Sequence, residues 1–301
     1  MEMLVATIAP VIGLVLAMLW ASVRPPRGAV GLSWSVRAFT LIGSGIALVG
    51  GLLVGLSGNT AYSAVSSPIP LEWVRGDWLY VVPLVSGFVG VLVLMLPLQR
   101  RRSSGSAQFT RRTALSFTRR RWLVLAGCLI GVIVILSVAA GGASSPDKDG
   151  RYRLFAMDSG AAEIRILIYG WYYSLPSLIA LALFAGTALL ALSVIARPPL
   201  AADTPHDTAV RQERSRNVMG LLIGGLLLHL GAVLSFLGYT GTSSVGVFQG
   251  EDIIPIIAPF SAFGPLLWIL GGAASALGFA CWFEIVLSNV RRPVRRQVSA
   301  V

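Results

Sequence analysis

His229, in the stretch GLLLHLGAV, is the one ionisable side chain set in the middle of a long apolar run. An imidazole in hydrocarbon is costly, so it either serves a function or sits neutral and hydrogen-bonded to a neighbouring segment. No second ionisable group lies at that depth in the sequence, and the neutral structural role is the simpler expectation. Glu284 lies near the end of another apolar run, one to two turns before Arg291 and Arg292, and an ion pair with one of them is expected. Ser57, in GLSG, offers a hydroxyl for which His229 would have to be the base. Ser57 stands 20 residues beyond Arg37, and His229 stands 13 beyond Arg216. At 1.5 Å per residue the two differ in depth by about 10 Å, too far for a nucleophile and its base.

Other chemistries find even less support. The single lysine, Lys148, and the second histidine, His206, both lie in polar connections, so neither a helix-borne Schiff base nor a bis-histidine haem is expected. Cys128 and Cys281 fall inside apolar runs and read as small buried hydrophobes. No phosphate-binding loop, kinase signature or Cys/His metal spacing is present in the sequence. The reading is therefore of a non-enzymatic chain with no cofactor, and any ATPase that energises it is expected to be a separate chain.

One pattern occurs twice. Trp78-Leu79-Tyr80-Val81-Val82-Pro83 shares the frame Trp-x-Tyr-x-x-Pro with Trp171-Tyr172-Tyr173-Ser174-Leu175-Pro176, each opening a long apolar run. A degenerate third copy keeps only Phe260 and Pro265. Trp and Tyr rings settle at the headgroup level, and proline is tolerated in a first helical turn. An anchoring role is the expectation. The alternative is an outward pocket of Trp78, Tyr80, Trp171 and Tyr173, with Asp77 and Glu72 nearby.

The composition says what must position these residues. Of 301 residues, 55% are hydrophobic and 12% charged, with a mean hydropathy of +0.77. That is about half the charge of a soluble domain, too little to cover a core in water. The class expected is an all-α membrane bundle. Seven runs reach roughly the 20 residues that a spanning helix needs: 3–23, 38–57, 78–98, 122–141, 166–196, 217–238 and 263–288. The first follows Glu2 rather than a basic segment and reads as a retained anchor.

Arginine placement sets the orientation. Nineteen basic residues lie in the connections 24–37, 99–121 and 197–216 and in the tail, against five on the other side (Arg75, Lys148, Arg151, Arg153 and Arg165). The positive-inside rule puts the N-terminus outside and the C-terminus in the cytoplasm. The net charge of +11 is thus read as topology and contact with anionic headgroups, not as a nucleic-acid footprint.

The chain divides as an anchor helix with its first inside loop (1–37), hairpins at 38–98, 122–196 and 217–290, cytoplasmic loops at 99–121 and 197–216, and a basic tail at 291–301. Each hairpin's outgoing run carries Gly-x-x-x-Gly: Gly51 with Gly55, Gly127 with Gly131, and Gly220 with Gly224. Such glycines let helices approach closely in lipid, and related hairpins are the expected internal repeat. Outside connections carry acidic patches, Asp147 with Asp149, Asp158 with Glu163, and Glu251 with Asp252, expected as solvated loop surface. The inside loop at 99–121 interleaves Phe109, Leu115 and Phe117 with eight arginines and would lie along the inner leaflet.

The functional expectation is a permease-like subunit of a bacterial plasma-membrane transport or export complex, with protein partners in the membrane. A sensor that detects a ligand through its outside loops is the second reading, and an intramembrane enzyme centred on His229 is the third.

Overall fold

The computed structural model describes residues 2–23, 32–57, 78–96, 113, 115–158, 163–197, 204–249 and 252–290. Among them are seven α-helices: α1 (Glu2–Val23), α2 (Trp34–Ser57), α3 (Val82–Met95), α4 (Arg120–Gly142), α5 (Trp171–Ala196), α6 (Thr204–Thr242) and α7 (Gly264–Val290). Stretches of α2, α4, α5, α6 and α7 are each long and apolar enough to cross a membrane. The apolar stretch Ile8–Val23 of α1 and the whole of α3 are shorter.

Two features depart from the sequence pattern. The run expected to form a helix from 166 begins as a strand, and α5 starts only at Trp171. The connections at that end of the bundle are also not featureless. Strands β1 (Ser145–Pro146), β2 (Tyr152–Asp158) and β3 (Glu163–Leu167) form an antiparallel sheet in that order. Strands β4 (Ser244–Gln249) and β5 (Asp252–Ile257) form a second antiparallel pair. The alternation Ile164-Arg165-Ile166 explains β3: it gives one apolar face, and Ile164 is buried with Met157 and Ala258. The Thr240 hydroxyl donates to the Leu167 carbonyl at 2.9 Å and ties this strand end to α6.

α6 is the axis of the bundle. It packs against α2, α3, α4, α5 and α7, and 72% of its most apolar window is buried, against 28% for α4. Residues on every side of it, from Val218, Leu221 and Ile223 to Leu226, Leu230 and Val233, are buried, as expected of a helix apolar all round. Arg211, Arg214 and Arg216 lie on its first turns, so α6 runs well beyond the 217–238 expected from the sequence.

The closest packing is between α6 and α7. Gly224, Gly231 and Gly238 recur every seven residues on α6, and Gly264, Gly271 and Gly278 do so on α7. In antiparallel register Gly224 meets Gly278, Gly231 meets Gly271, and Gly238 meets Gly264. A Cβ on Gly278 would stand 2.9 Å from the Gly224 carbonyl oxygen, and one on Gly271 2.8 Å from that of Gly231. Only glycine permits this backbone-to-backbone approach. Trp282 closes the seam, fully buried, with its indole N–H donating to the Leu221 carbonyl at 3.1 Å.

Gly51 also packs against Trp282, and Gly43 and Gly90 let α2 and α3 touch. Around Gly127 and Gly131 of α4, by contrast, no atom of another element among the described residues lies within 4 Å of where a Cβ would be. α4 turns Ala126, Leu129, Ile133, Ser137 and Ala140 inward, and leaves Val124, Leu125, Cys128, Val132 and Ile135 exposed.

Candidate functional site

Two of the aromatic frames converge. Tyr80, in the turn that opens α3, and Tyr173, in the first turn of α5, are both buried, with ring centroids 5.3 Å apart at 67°. Tyr169 lies 5.2 Å from Tyr80 at 71°, and Phe236 of α6 lies 5.6 Å from it. Tilted, edge-on contacts of this kind are the preferred aromatic geometry.

His229 sits beneath this cluster at 0% exposure, its ring 6.3 Å from that of Tyr169. Its Nδ1 is 2.7 Å from the backbone carbonyl oxygen of Tyr80. A carbonyl only accepts, so Nδ1 carries the proton and donates it, and the neutral ring presents Nε2 as a bare acceptor. That nitrogen has no hydrogen-bond partner among the described residues, and neither do the buried hydroxyls of Tyr169, Ser137 and Ser174. Ser137 and Ser177 lie near the Tyr169 phenol without meeting it at hydrogen-bonding geometry. Polar atoms of α4, α5, α6 and of Tyr169, just before α5, are therefore buried without partners among the described residues, with Tyr169 close to both His229 and Ser137. The arrangement suits a small hydrogen-bonding guest or a proton more than group transfer, since neither nitrogen of His229 meets a nucleophile or a carboxylate.

An unpartnered buried hydroxyl is itself a cost, on the order of 1–3 kcal/mol. Tyr169→Phe is therefore expected to leave thermal stability in detergent unchanged or to raise it by about 1 kcal/mol. A clear loss of stability would mean that the hydroxyl is bonded in the folded protein.

Not all of the sequence candidates join this cluster. Trp171 packs on Gly141 of α4, and Trp78 is 53% exposed, as an interfacial anchor would be. Asp77 lies outside the described residues, and so do Glu72, Arg291 and Arg292. Glu284 is at the opposite, basic end, where it accepts from Arg216 Nη2 at 2.5 Å and so clasps α7 to α6. Arg216 also reaches Glu213 at 3.5 Å. Among the described residues Glu284 thus pairs with an arginine of a different helix, which sequence neighbourhood alone did not suggest, while the expected Arg291 and Arg292 lie outside them. The same reading missed Tyr169, Ser137 and Ser174, whose role depends on packing between segments.

The strand end carries one well-built polar feature. Asp147 Oδ1 accepts from the N–H groups of Asp149 at 2.8 Å and Arg151 at 2.9 Å, and Oδ2 accepts from Arg153 Nε at 2.5 Å. The guanidinium groups of Arg151 and Arg153 lie 5.2 and 5.9 Å from the Tyr172 ring, so the strands are held over the start of α5. Partial desolvation raises the carboxyl's pKa. The Arg151 N–H, the Arg153 side chain and the Asp149 N–H together outweigh it and hold the group below its ordinary 3.8.

A depressed carboxylate contributes stability that is complete above the ordinary value and fades as pH falls through the lower, folded one. Amide exchange at Asp149 and Arg151, corrected for intrinsic rates, is expected to accelerate below about pH 4. In Asp147→Ala, which removes both acceptor oxygens, the same amides should already be fast at neutral pH. Unchanged protection in that variant would remove the clasp.

Among the described residues no three His, Cys, Asp or Glu side chains gather as a metal-binding group. Apolar helices long enough to span, a glycine-packed axis and charge confined to the two ends define a multi-pass helical membrane protein. The chain matches no protein-family model, no curated protein and no solved structure.

Proposed function

We propose that the chain is a permease-like, non-enzymatic subunit of a transport or export complex in a bacterial plasma membrane. In this reading it crosses the bilayer seven times, with its N-terminus outside and its basic end in the cytoplasm. The arginine asymmetry supports that orientation. Arg119, Arg120, Arg121, Arg197, Arg211 and Arg216 cluster at the end opposite the strands.

The observation that carries the subunit reading is the open face of α4. Many glycines of the bundle mark where helices touch, at Gly43 with Gly90 and along the α6–α7 seam, whereas Gly45 of α2 and Gly186 of α5 are single open glycines. Gly127 and Gly131, one turn apart on α4, form a small-residue face with nothing against it among the described residues. A transmembrane helix of another chain fits such a face, because small residues let backbones approach without a hydrophobic driving force.

Cys128 is exposed between these glycines and provides the test. A thiol-directed photo-crosslinker placed there in native membranes should trap one recurrent membrane protein in wild type. Gly127→Val should lose the adduct while folding normally. Adducts scattered over many proteins, or unaffected by Gly127→Val, would contradict a specific partner.

A second reading, a membrane sensor, draws support from the unpartnered Nε2 of His229 and the unpartnered hydroxyls of Tyr169 beside it and of Ser137 near Tyr169. It predicts ligand-dependent thermal stabilisation that weakens in Tyr169→Phe. No stabilisation by any class of small polar molecule counts against it.

A further inference from the structure

Three arginines line the first turns of α6, and two of them are neutralised within the chain. Arg211 pairs with Asp207 through Nε at 3.0 Å and caps α5 by donating to the carbonyls of Ile195 at 3.0 Å and Ala196 at 3.4 Å. Arg216 is held by Glu284 and Glu213. Arg214, between them, is partly buried and close enough to Arg211 to feel its charge. Among the described residues it has no carboxylate or carbonyl partner.

A guanidinium cannot shed its proton to escape burial. A partly buried charge with a like charge beside it and no counter-ion is unfavourable until an anion arrives. One turn deeper on the same face, three residues on, the Asn217 side-chain amide is 2% exposed, and its N–H2 group has no partner. The Phe117 ring is 5.5 Å from the Arg211 guanidinium, and the hydroxyl of the next residue in the chain, Thr118, is a third buried donor without a partner among the described residues. Among the described residues the set holds one uncompensated positive charge and donors that no acceptor satisfies.

We propose that Arg214 and Asn217 bind the phosphate of an anionic phospholipid headgroup, with Arg211 and Thr118 at its flank. Phosphate chemistry fits because its oxygens accept several hydrogen bonds and carry the missing charge. A lipid is the source because the site stands where the apolar stretch of α6 begins, at headgroup depth for a helix entering the bilayer. The assignment rests on the membrane reading of the chain but not on the presence of a protein partner.

The test uses the full-length protein, delipidated in detergent, by native mass spectrometry and thermal unfolding. Wild type should retain one phosphatidylglycerol molecule and unfold at a higher temperature with it than with phosphatidylcholine. Arg214→Gln should bind that lipid about tenfold more weakly or worse, as loss of a charge-assisted contact implies. Asn217→Leu should weaken it by a smaller factor, and Arg121→Gln, which removes an arginine at the same end, should not change it. If Arg214→Gln does not fold, Arg214→Lys keeps the charge without the planar fork and should still bind less tightly.

Equal retention of phosphatidylglycerol in wild type and the Arg214 variants overturns the site. Stabilisation by inorganic phosphate as strong as by the lipid overturns the lipid assignment, and an acidic protein segment recovered in place of lipid overturns both. A protein that unfolds no differently without detergent would instead refute the membrane reading itself.

Discussion

Gly271→Val is expected to destabilise the folded protein severely, whereas Gly127→Val leaves it intact. The two substitutions are chemically identical, and both lie in apolar helices. At Gly271 the new Cβ would meet the Ser235 backbone nitrogen at 2.7 Å and the Gly231 carbonyl oxygen at 2.8 Å. These are backbone atoms, so no rotamer change relieves the clash, and α6 and α7 must separate along their length. Overpacking of a well-packed core costs about 1–3 kcal/mol, and more where backbone must move, so a loss of about 3 kcal/mol or more follows. At Gly127 nothing lies within 4 Å, and only the small difference in helix propensity remains, below about 1 kcal/mol. Fluorescence-detected size exclusion after graded heating separates the two. Equal behaviour of the variants would mean that the glycine seam does not hold α6 to α7.

His229→Leu should destabilise the bundle by about 2–3 kcal/mol, and His229→Asn should recover most of that. The ring is completely buried, and its one bond, from Nδ1 to the Tyr80 carbonyl, fixes the turn that leads into α3. Leucine fills much of the volume but leaves the carbonyl buried without a donor. The amide nitrogen of asparagine occupies nearly the place of Nδ1 and can donate in its stead, while the acceptor at Nε2 is lost. The pair of variants thus separates the two nitrogens. If Asn restores stability and native activity, His229 is a structural donor. If it restores stability alone, the function lies with Nε2. A His229→Leu protein as stable as wild type would show that the bond to Tyr80 contributes nothing.

Much of this architecture was legible in the sequence. Apolar runs near the spanning length, Pro-flanked arginines and the scarcity of charge located seven helical segments to within a few residues at most ends. What escaped was of two kinds. The glycine seam was present in the letters, at a spacing of seven on two separate segments. The Gly-x-x-x-Gly pattern takes in Gly220 with Gly224 but not Gly231, Gly238, Gly264, Gly271 or Gly278. The strand β3 was also readable from its alternation, but its apolar residues merged with the helix that follows.

The second kind was not accessible to any one-dimensional pattern. Tyr80 and Tyr173 come together from segments more than ninety residues apart, and only the packing of α3 and α5 against α6 brings them over His229. Equivalent motifs also end in unlike surroundings: Gly220 and Gly224 are packed against α7, while Gly127 and Gly131 are open. Helical spacing tells which residues share a face, but not what that face meets.

The most direct test of the proposed subunit role is native mass spectrometry of the tagged chain, extracted from its own membranes in mild detergent. The account predicts a second membrane protein in fixed stoichiometry, absent from the Gly127→Val preparation. A lone chain, or a homo-oligomer carrying no other polypeptide, would contradict it.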